Sequence, residues 1–218
     1  MNHPALRVDR FVNAAFGSNT YRLTCPGSLN CVLIDPGEEA VLQMAENLET
    51  PGRRVEYALL THEHYDHISG VLAIQSRGNS QVICSNQCST AITNPTLNFS
   101  RYLIQRDVAC AAADRSCEEL DWKLTWNGLE FRFIPTPGHS PGSICIAVEN
   151  VLFSGDSLLH NLKRVTNLPG GDKKAWEKSV ALLLDTFDPE ALVHPGHGEP
   201  FQLKDVARAF AAGSRCTG

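Results

Sequence analysis

The feature that most constrains this chain is a cluster of metal-capable side chains at residues 61–67, with the sequence Thr-His-Glu-His-Tyr-Asp-His. It directly follows residues 55–60, Val-Glu-Tyr-Ala-Leu-Leu, whose apolar character predicts a buried strand. The cluster therefore lies at a strand end, where loops on a rigid sheet carry chemistry. Imidazole nitrogens and carboxylate oxygens suit Zn²⁺, Fe or Mn²⁺. Single histidines are common on protein surfaces, but three histidines interleaved with an aspartate favour a metal site.

Three later loops place further metal-capable side chains after predicted strands. His139 lies in Thr-Pro-Gly-His-Ser-Pro-Gly, Asp156 lies in Gly-Asp-Ser, and His197 lies in His-Pro-Gly-His-Gly. Glycines in such loops let the backbone approach other groups closely. We therefore expect four strand ends to supply ligands to one edge of a sheet. His194, which opens the last of these loops, is interpreted as a structural residue.

Strand and helix patterns alternate along the chain. The second half contains two predicted hairpins, one turning at Asn127-Gly128 and the other at Glu149-Asn150. Asp172 is expected to cap the helix that follows it. The elements recur in two similar halves, which predicts a layered α/β protein. The predicted strands cover residues 8–12, 20–24, 31–35, 55–60, 81–84, 123–126, 129–134, 144–148, 151–154 and 191–193, and further helices are predicted over 40–48, from 66 onward, and around 206–210.

Residues 86–120 give the weakest pattern. We interpret them as an insertion over one end of a sheet, with a helix over 97–104 and turns over 114–120. The segment is not of low complexity, and no internal repeat is visible in the chain.

Composition restricts the kind of partner. With 218 residues, the chain is interpreted as a single domain, residues 1–218, that needs no staple to fold. Its net charge of -5 and lack of a Lys/Arg run argue against nucleic acid as a partner. An N-terminus without an apolar core and the lack of a membrane-length apolar run favour a cytoplasmic protein that does not bind membranes. The eight cysteines form no CxxC pair, so we expect reduced, structural thiols.

The combined pattern resembles the metallo-β-lactamase superfamily and, within it, the glyoxalase II-like hydrolases. The family pattern is HxHxDH, followed by a later His, an Asp and a final His. Segments 18–21, 33–37 and 168–172 also resemble that subgroup. The resemblance covers nearly the whole chain and implies a four-layer αβ/βα sandwich with metals at one edge of two central β-sheets. The matching residues are His62, His64, Asp66, His67, His139, Asp156 and His197.

The resemblance implies two divalent metal ions, with zinc favoured and iron or manganese open. His62, His64 and His139 would hold one ion, and Asp66, His67 and His197 would hold the other, with Asp156 bridging them. Two close cations share a water, make hydroxide available near neutral pH, and polarise the acyl carbonyl that it attacks. Asp66 or the metals themselves would handle the proton. Asp35 either orients a ligand imidazole or caps the turn that follows it.

We therefore expect a thioester hydrolase of glyoxalase II type that acts on a small molecule. A B1-type lactamase would have Cys at Asp156, and a flavodiiron protein would have Glu at His64. Lactonases stay open, because they share the ligand set, and so do other hydrolases of the superfamily, including those with β-lactamase activity. A persulfide dioxygenase, which would hold one iron through two His and one Asp, and a non-enzymatic member that keeps a metal as structure also stay open.

The position of the last ligand bears on the leaving group. The chain ends about twenty residues after His197, without the helical region that helps full-length glyoxalase II to hold glutathione. An acyl-CoA, another thioester or a lactone is therefore also an expected substrate.

Substrate contacts are expected from two segments. One is the 86–120 segment, with Asn98, Arg101 and Tyr102, and the other follows Asp156, with His160 and Arg164. A cation at the rim of the pocket would bind the carboxylates of glutathione or a phosphate of coenzyme A.

Overall fold

The structure, a computed structural model, describes residues 6–38, 54–117, 122–160 and 166–214. The strands are β1 (Arg7–Val12), β2 (Asn19–Thr24), β3 (Asn30–Ile34), β4 (Arg54–Leu59), β5 (Gln81–Ser85), β6 (Arg115–Cys117), β7 (Trp122–Trp126), β8 (Leu129–Pro135), β9 (Ile144–Val148), β10 (Val151–Gly155), β11 (Leu192–Pro195) and β12 (Phe201–Gln202). The helices are α1 (Tyr65–Ile68), α2 (Val71–Arg77), α3 (Asn86–Ala91), α4 (Ser100–Leu103), α5 (Lys173–Thr186) and α6 (Leu203–Ser214). The helix predicted over 40–48 and Cys216 lie outside the described residues.

Two six-stranded mixed sheets form the centre of the fold. The first has the order β1-β2-β3-β4-β5-β6, antiparallel from β1 to β3 and parallel from β3 to β6. The second has the order β12-β11-β10-β9-β8-β7, in which only β10 and β11 of these strands pair in parallel. Parallel pairs have their carboxyl ends on the same edge of a sheet, which places the loops after β3, β4 and β5 at one edge of the first sheet and the loops after β10 and β11 at one edge of the second.

The two sheets pack face to face, and helices cover their outer faces. The inner core joins residues of both sheets, with Tyr21 and Leu23 from β2 meeting Phe131, Phe133 and Phe153 from the second sheet. A second apolar cluster combines the outer face of the first sheet with α1, α2 and α3, and a third combines the outer face of the second sheet with α5 and α6. The predicted αβ/βα sandwich is therefore confirmed.

Local sequence signals explain two of the connections. Asn127 and Gly128 both have positive φ, 49° and 79°, which is the geometry of a type I′ turn and suits the twist of a hairpin. This turn joins β7 to β8 as predicted. The Asp172 carboxylate accepts hydrogen bonds from the backbone N–H groups of Lys174 at 2.8 Å and Ala175 at 3.1 Å, so the predicted N-cap of α5 is also confirmed.

The prediction for residues 86–120 is wrong at both ends. Helix α3 begins directly after β5, where the Ser85 hydroxyl accepts from the N–H of Cys88, and Cys88 is fully buried. Strand β6 extends the first sheet beside β5, where turns were expected. The sequence of α3, Asn-Gln-Cys-Ser-Thr-Ala, lacks apolar periodicity, and β6 has only three residues, so neither gives a pattern that can be read. The helix predicted over 97–104 is limited to α4.

The seven described cysteines are free and buried. None of the helices in the described ranges is both long and apolar enough to cross a membrane.

Candidate metal centre

The loops that follow β4, β8, β10 and β11 meet at one edge of the two sheets. Backbone contacts join the sheets there, because the N–H of Ile144 donates to the carbonyl of Thr61 at 2.8 Å. On the other side, the N–H of Asn19 donates to the carbonyl of Gly196 at 2.7 Å, and Ser18 forms a bridge with His197. These contacts hold side chains that are far apart in sequence at fixed relative positions.

The first group of candidate ligands is formed by His62, His64 and His139, whose ring nitrogens lie within 4.8 Å of one another. His139 Nε2 is 2.8 Å from His64 Nδ1, so both nitrogens face the same point. The Thr61 hydroxyl donates to Asp35 Oδ2 at 2.6 Å and therefore accepts from Nδ1 of His62 at 3.0 Å. This contact fixes the tautomer of His62 and leaves its Nε2 lone pair for a metal.

The second group is formed by Asp66, His67 and His197, again with ligand atoms within 4.8 Å. Asp66 Oδ2 is 3.4 Å from His67 Nε2 and 3.2 Å from His197 Nε2. The outer nitrogens are engaged elsewhere, because His67 Nδ1 is 3.2 Å from Asp35 Oδ2 and His197 Nδ1 is 3.2 Å from the carbonyl of Gly17. Both Nε2 atoms therefore face inward, as ligands do when a second set of groups orients them.

Asp156 lies between the two groups. Its Oδ1 is 3.7 Å from His67 Nε2, and its Oδ2 is 3.8 Å from both His139 Nε2 and His197 Nε2. The backbone passes so close to this carboxylate that a Cβ at Gly196 would collide with Asp156 Oδ1 and lie 2.8 Å from His67 Cε1. Glycine is therefore required there for steric reasons.

Unsatisfied polar atoms test whether this arrangement fits metal ions. Within the described residues, His62 Nε2, His67 Nε2 and Asp156 Oδ1 are buried and have no hydrogen-bond partner. Buried polar atoms are nearly always paired, so one unpaired nitrogen in each group and an unpaired oxygen on the carboxylate between them fit cations bound at this centre. Nitrogen and carboxylate oxygen donors suit divalent zinc, iron or manganese. A third combination, Asp35 with His62 and His67, is also close enough, but Asp35 already accepts from Thr61 and contacts the outer nitrogen of His67.

Burial and mutual contacts set the charges of these groups. Burial and the neighbouring imidazoles lower the pKa of His62 and of His64 well below the ordinary value, which favours the neutral rings that metals bind. Burial alone would raise the pKa of Asp66, but His67 and His197 lower it below its ordinary value. Burial opposes charge on His67 as well, yet the carboxylates of Asp66 and Asp35 raise its pKa.

The ligand groups form the floor of a cavity of about 720 Å³. The floor residues that line it are His64, Asp66, His139, Asp156 and His197. The walls are mostly apolar and consist of Phe16, Phe99, Tyr102, Leu103, Leu159, Leu168 and Pro169, with His160 and Gly198. A smaller cavity of about 410 Å³ adjoins it and shares His64, Phe99, Tyr102 and Pro169 as a partition. A concave site of this size with ligands at its base is the usual form of an enzyme pocket.

Comparison with known proteins identifies the family. The sequence model described as Metallo-beta-lactamase superfamily matches residues 14–197. The chain belongs to this superfamily. Probable metallo-hydrolase M6_Spy0554 of Streptococcus pyogenes is 28% identical over 201 residues, which cover 88% of this chain and 84% of that protein. Hydroxyacylglutathione hydrolase GloC of Haemophilus influenzae is 25% identical over 171 residues, which cover 78% of this chain and 80% of that protein.

Two solved structures resemble nearly the whole fold. The crystal structure of the BLEG-1 B3 metallo-beta-lactamase has a TM-score of 0.83 and 28% sequence identity, and the match covers 93% of this chain and 97% of that one. The structure of TTHA1623 in a di-iron-bound form has a TM-score of 0.77 and 27% identity, with 93% and 98% covered. The chain is thus a metallo-hydrolase of this superfamily whose buried His/Asp cluster fits divalent metal ions.

Only some of the substrate residues predicted from the sequence lie at the main cavity. Tyr102 and His160 line the main cavity. Asn98 is fully buried, and its amide donates to the carbonyls of Ile92 and Val108, so the prediction that it contacts substrate is corrected.

Arg101 also differs from its prediction. Its guanidinium is exposed, pairs with Asp107 at 2.7 Å, and is not among the described residues that line the cavity. Pairing with a neighbouring carboxylate on the surface thus replaces the predicted substrate contact. Arg164 lies outside the described residues.

Three residues have structural roles at the candidate metal centre that the sequence analysis did not assign to them. Thr61 links Asp35 to His62 through its hydroxyl. The amide of Asn19 donates to the carbonyls of Pro195 at 2.9 Å and Gly198 at 2.8 Å, and so holds the loop that carries His197. Phe99 has a left-handed φ of 64° and packs its ring 4.7 Å from that of His64. Asn19 belongs to a segment that resembles the family, whereas no signal marked Phe99.

Proposed function

We propose that the protein is a dinuclear metal-dependent hydrolase of acyl thioesters, similar in chemistry to glyoxalase II. The observation that carries the proposal is the position of Asp156 at the floor of one cavity, where its carboxylate lies within 3.8 Å of His139 of the first group and of His67 and His197 of the second. A carboxylate in that position is suited to bridge two cations. The cavity gives a small substrate access to the same point.

The ligand assignment follows from the two groups. His62, His64 and His139 would hold one ion, Asp66, His67 and His197 would hold the other, and Asp156 would contact both. When bound, two such ions would lower the pKa of a shared water and polarise a carbonyl oxygen. The protein contributes rigid imidazoles, because hydrogen bonds to Thr61, Asp35 and Gly17 engage three of the outer ring nitrogens.

Asp66 has a second proposed role in handling a proton. It is a ligand candidate that also lines the cavity, which places its carboxylate beside an incoming substrate. Ser18 fixes this segment, since its hydroxyl donates to the backbone carbonyl of Asp66 at 2.7 Å. A carboxylate held in this way can accept the proton released during attack and pass it to the leaving group.

The preference for a thioester is supported by the similarity to GloC, a hydroxyacylglutathione hydrolase, over 78% of this chain. The similarity to BLEG-1 makes β-lactam hydrolysis the second candidate, since the same centre would polarise a lactam carbonyl. Lactones fit the same ligand set. The di-iron form of TTHA1623 supports two ions and keeps iron open beside zinc and manganese.

A substrate panel tests the proposal. The protein, loaded in turn with Zn²⁺, Fe²⁺ or Mn²⁺, is assayed with S-lactoylglutathione, an acyl-CoA, a homoserine lactone, nitrocefin and glutathione persulfide. We expect the highest kcat/KM with a thioester and its loss in His139→Ala. Preferred turnover of nitrocefin would support β-lactam hydrolysis instead, and persulfide-dependent oxygen uptake with a single iron would replace the hydrolase by a dioxygenase.

A further inference from the structure

We propose that the main cavity selects an apolar acyl chain, so that the substrates are thioesters of apolar carboxylic acids longer than acetate. This inference rests on the proposed hydrolase function and adds its substrate class. It concerns the walls of the cavity, which are separate from the floor where the carbonyl reacts.

The walls and the floor differ in chemistry. The described polar groups of the lining side chains are mainly the ligand candidates at the floor, and the exceptions are His160 and the hydroxyl of Tyr102. Lys and Arg are absent from the lining residues that the structure describes. Apart from the hydroxyl of Tyr102, the wall residues Phe16, Phe99, Leu103, Leu159, Leu168 and Pro169 offer only apolar contact. Apolar surface binds substrate in proportion to the area that it removes from water.

The mouth of the cavity has exposed apolar side chains. Tyr102 is 62% exposed, Leu103 is 47% exposed, and Leu168 is 41% exposed, although all three border the same opening. Single exposed apolar residues are ordinary, but several around one concave opening indicate a surface that a ligand covers. A chain that extends from the floor toward solvent would cover them.

The wall beside the floor is held rigidly. Phe99 packs against His64 and has its centroid 6.1 Å from that of Tyr102. Its left-handed backbone is uncommon for an aromatic residue and persists only where neighbouring contacts enforce it. Asn98 supplies those contacts. Its side-chain oxygen accepts a hydrogen bond from the backbone N–H of Ser100 at 2.9 Å, and its backbone carbonyl accepts one from the backbone N–H of Tyr65 at 2.8 Å. The cavity is therefore already shaped for its ligand.

The adjoining smaller cavity reaches only His64 among the ligand candidates. Its lining includes the polar residues Glu63, Gln87, Thr90 and Thr96, and the Glu63 carboxylate is buried at its edge, where it accepts from the hydroxyl of Ser140 at 3.0 Å. The main cavity, in contrast, is lined by members of both ligand groups, so an acyl chain attached to a carbonyl at the floor begins in the main cavity. The main cavity is therefore the side that fits the chain. Leu97, 50% exposed at the smaller cavity, offers a matched control for Leu103.

A chain-length series tests the inference. Acyl-N-acetylcysteamine thioesters from acetyl to decanoyl share one small, uncharged leaving group, so differences report the acyl chain. We expect kcat/KM to rise about fourfold per methylene, the factor equivalent to about 0.8 kcal/mol, until the cavity is filled. Leu103→Glu should reduce the octanoyl-to-acetyl ratio of kcat/KM about tenfold. Leu97→Glu and Leu182→Glu, the latter on α5, should keep the wild-type ratio.

Calorimetry on the metal-free protein gives a readout that does not depend on turnover. There the octanoyl thioester should bind more tightly than the acetyl thioester, and Leu103→Glu should remove the difference. The inference would be overturned if kcat/KM did not change with chain length. It would also be overturned if the octanoyl-to-acetyl ratio of kcat/KM were lost in Leu97→Glu and kept in Leu103→Glu. Neither result would contradict the proposed hydrolase function. A protein that hydrolyses no thioester with any metal would refute the proposed function, and the calorimetric preference would still decide the inference.

Discussion

Replacing Asp35 with Asn should weaken metal binding about 10–100-fold while leaving the fold intact. Asp35 Oδ1 accepts from the N–H of Thr61 at 2.7 Å, and Oδ2 accepts from the Thr61 hydroxyl at 2.6 Å and contacts His67 Nδ1 at 3.2 Å. Through Thr61 it also acts on His62. One carboxylate therefore orients a ligand of each group.

The magnitude follows from the hydrogen bonds that Asn cannot make. An amide in the place of the carboxylate turns one acceptor into a donor, which then faces either Thr61 or His67. A hydrogen bond to a charged group contributes about 1.5–3 kcal/mol, equivalent to about 10–100-fold in affinity. Asp35 has a left-handed φ of 48°, and Asn adopts that conformation readily, so the substitution changes the contact without adding backbone strain.

Competition against a chromogenic chelator measures the affinities of both ions. Asp9→Asn is the matched control, because Asp9 also carries a paired carboxylate, 2.6 Å from the guanidinium of Arg22, and is not among the ligand candidates. We expect the control to bind metal like the wild type. An unchanged affinity in Asp35→Asn, or an equal loss in Asp9→Asn, would refute the role assigned to Asp35.

Three further predictions follow from single contacts. Asp156→Ala should retain one ion by native mass spectrometry and lower kcat by about two to four orders of magnitude, and near-normal turnover with two ions would disprove the bridge. Asp172→Ala should lower the free energy of unfolding by about 0.5–2 kcal/mol through loss of the α5 cap, and an unchanged urea midpoint would contradict this. Burial lowers the pKa of His194 from 6.5 to about 4. Between these two pH values the unfolded chain binds a proton that the folded chain does not bind, so the free energy of unfolding decreases as the pH decreases. The metal-free His194→Phe variant should not show this decrease. The difference between its free energy of unfolding and that of the wild type should therefore be about 2 kcal/mol more favourable to the variant at pH 5 than at pH 8, and parallel pH profiles of the two proteins would contradict the prediction.

The clustering of the ligand candidates could be predicted, because the signal for it lies in the identity of the side chains and their place after predicted strands. His62, His64 and Asp66 follow a strand whose apolar run is plain, and Gly/Pro loops mark the positions of His139 and His197. The turn at 127–128 was equally legible, since few residues accept positive φ at both positions.

Contacts that depend on packing could not be predicted. Asn98 was expected to hold substrate, yet backbone carbonyls of its own loop take both protons of its amide. Arg101 was expected at the cavity, but a nearby carboxylate, Asp107, binds it at the surface. A polar side chain in an irregular segment can satisfy either a ligand or its own backbone, and only the tertiary structure decides between them. The same holds for Phe99, whose position depends on strain that no sequence pattern reports.

Metal content measured by native mass spectrometry tests the central claim most directly. The protein, loaded with Zn²⁺ and freed of excess metal, should carry two ions per chain, because Asp156 faces both groups of ligands. A chain that holds only one tightly bound ion under every loading condition would contradict the dinuclear centre on which the proposed hydrolase depends.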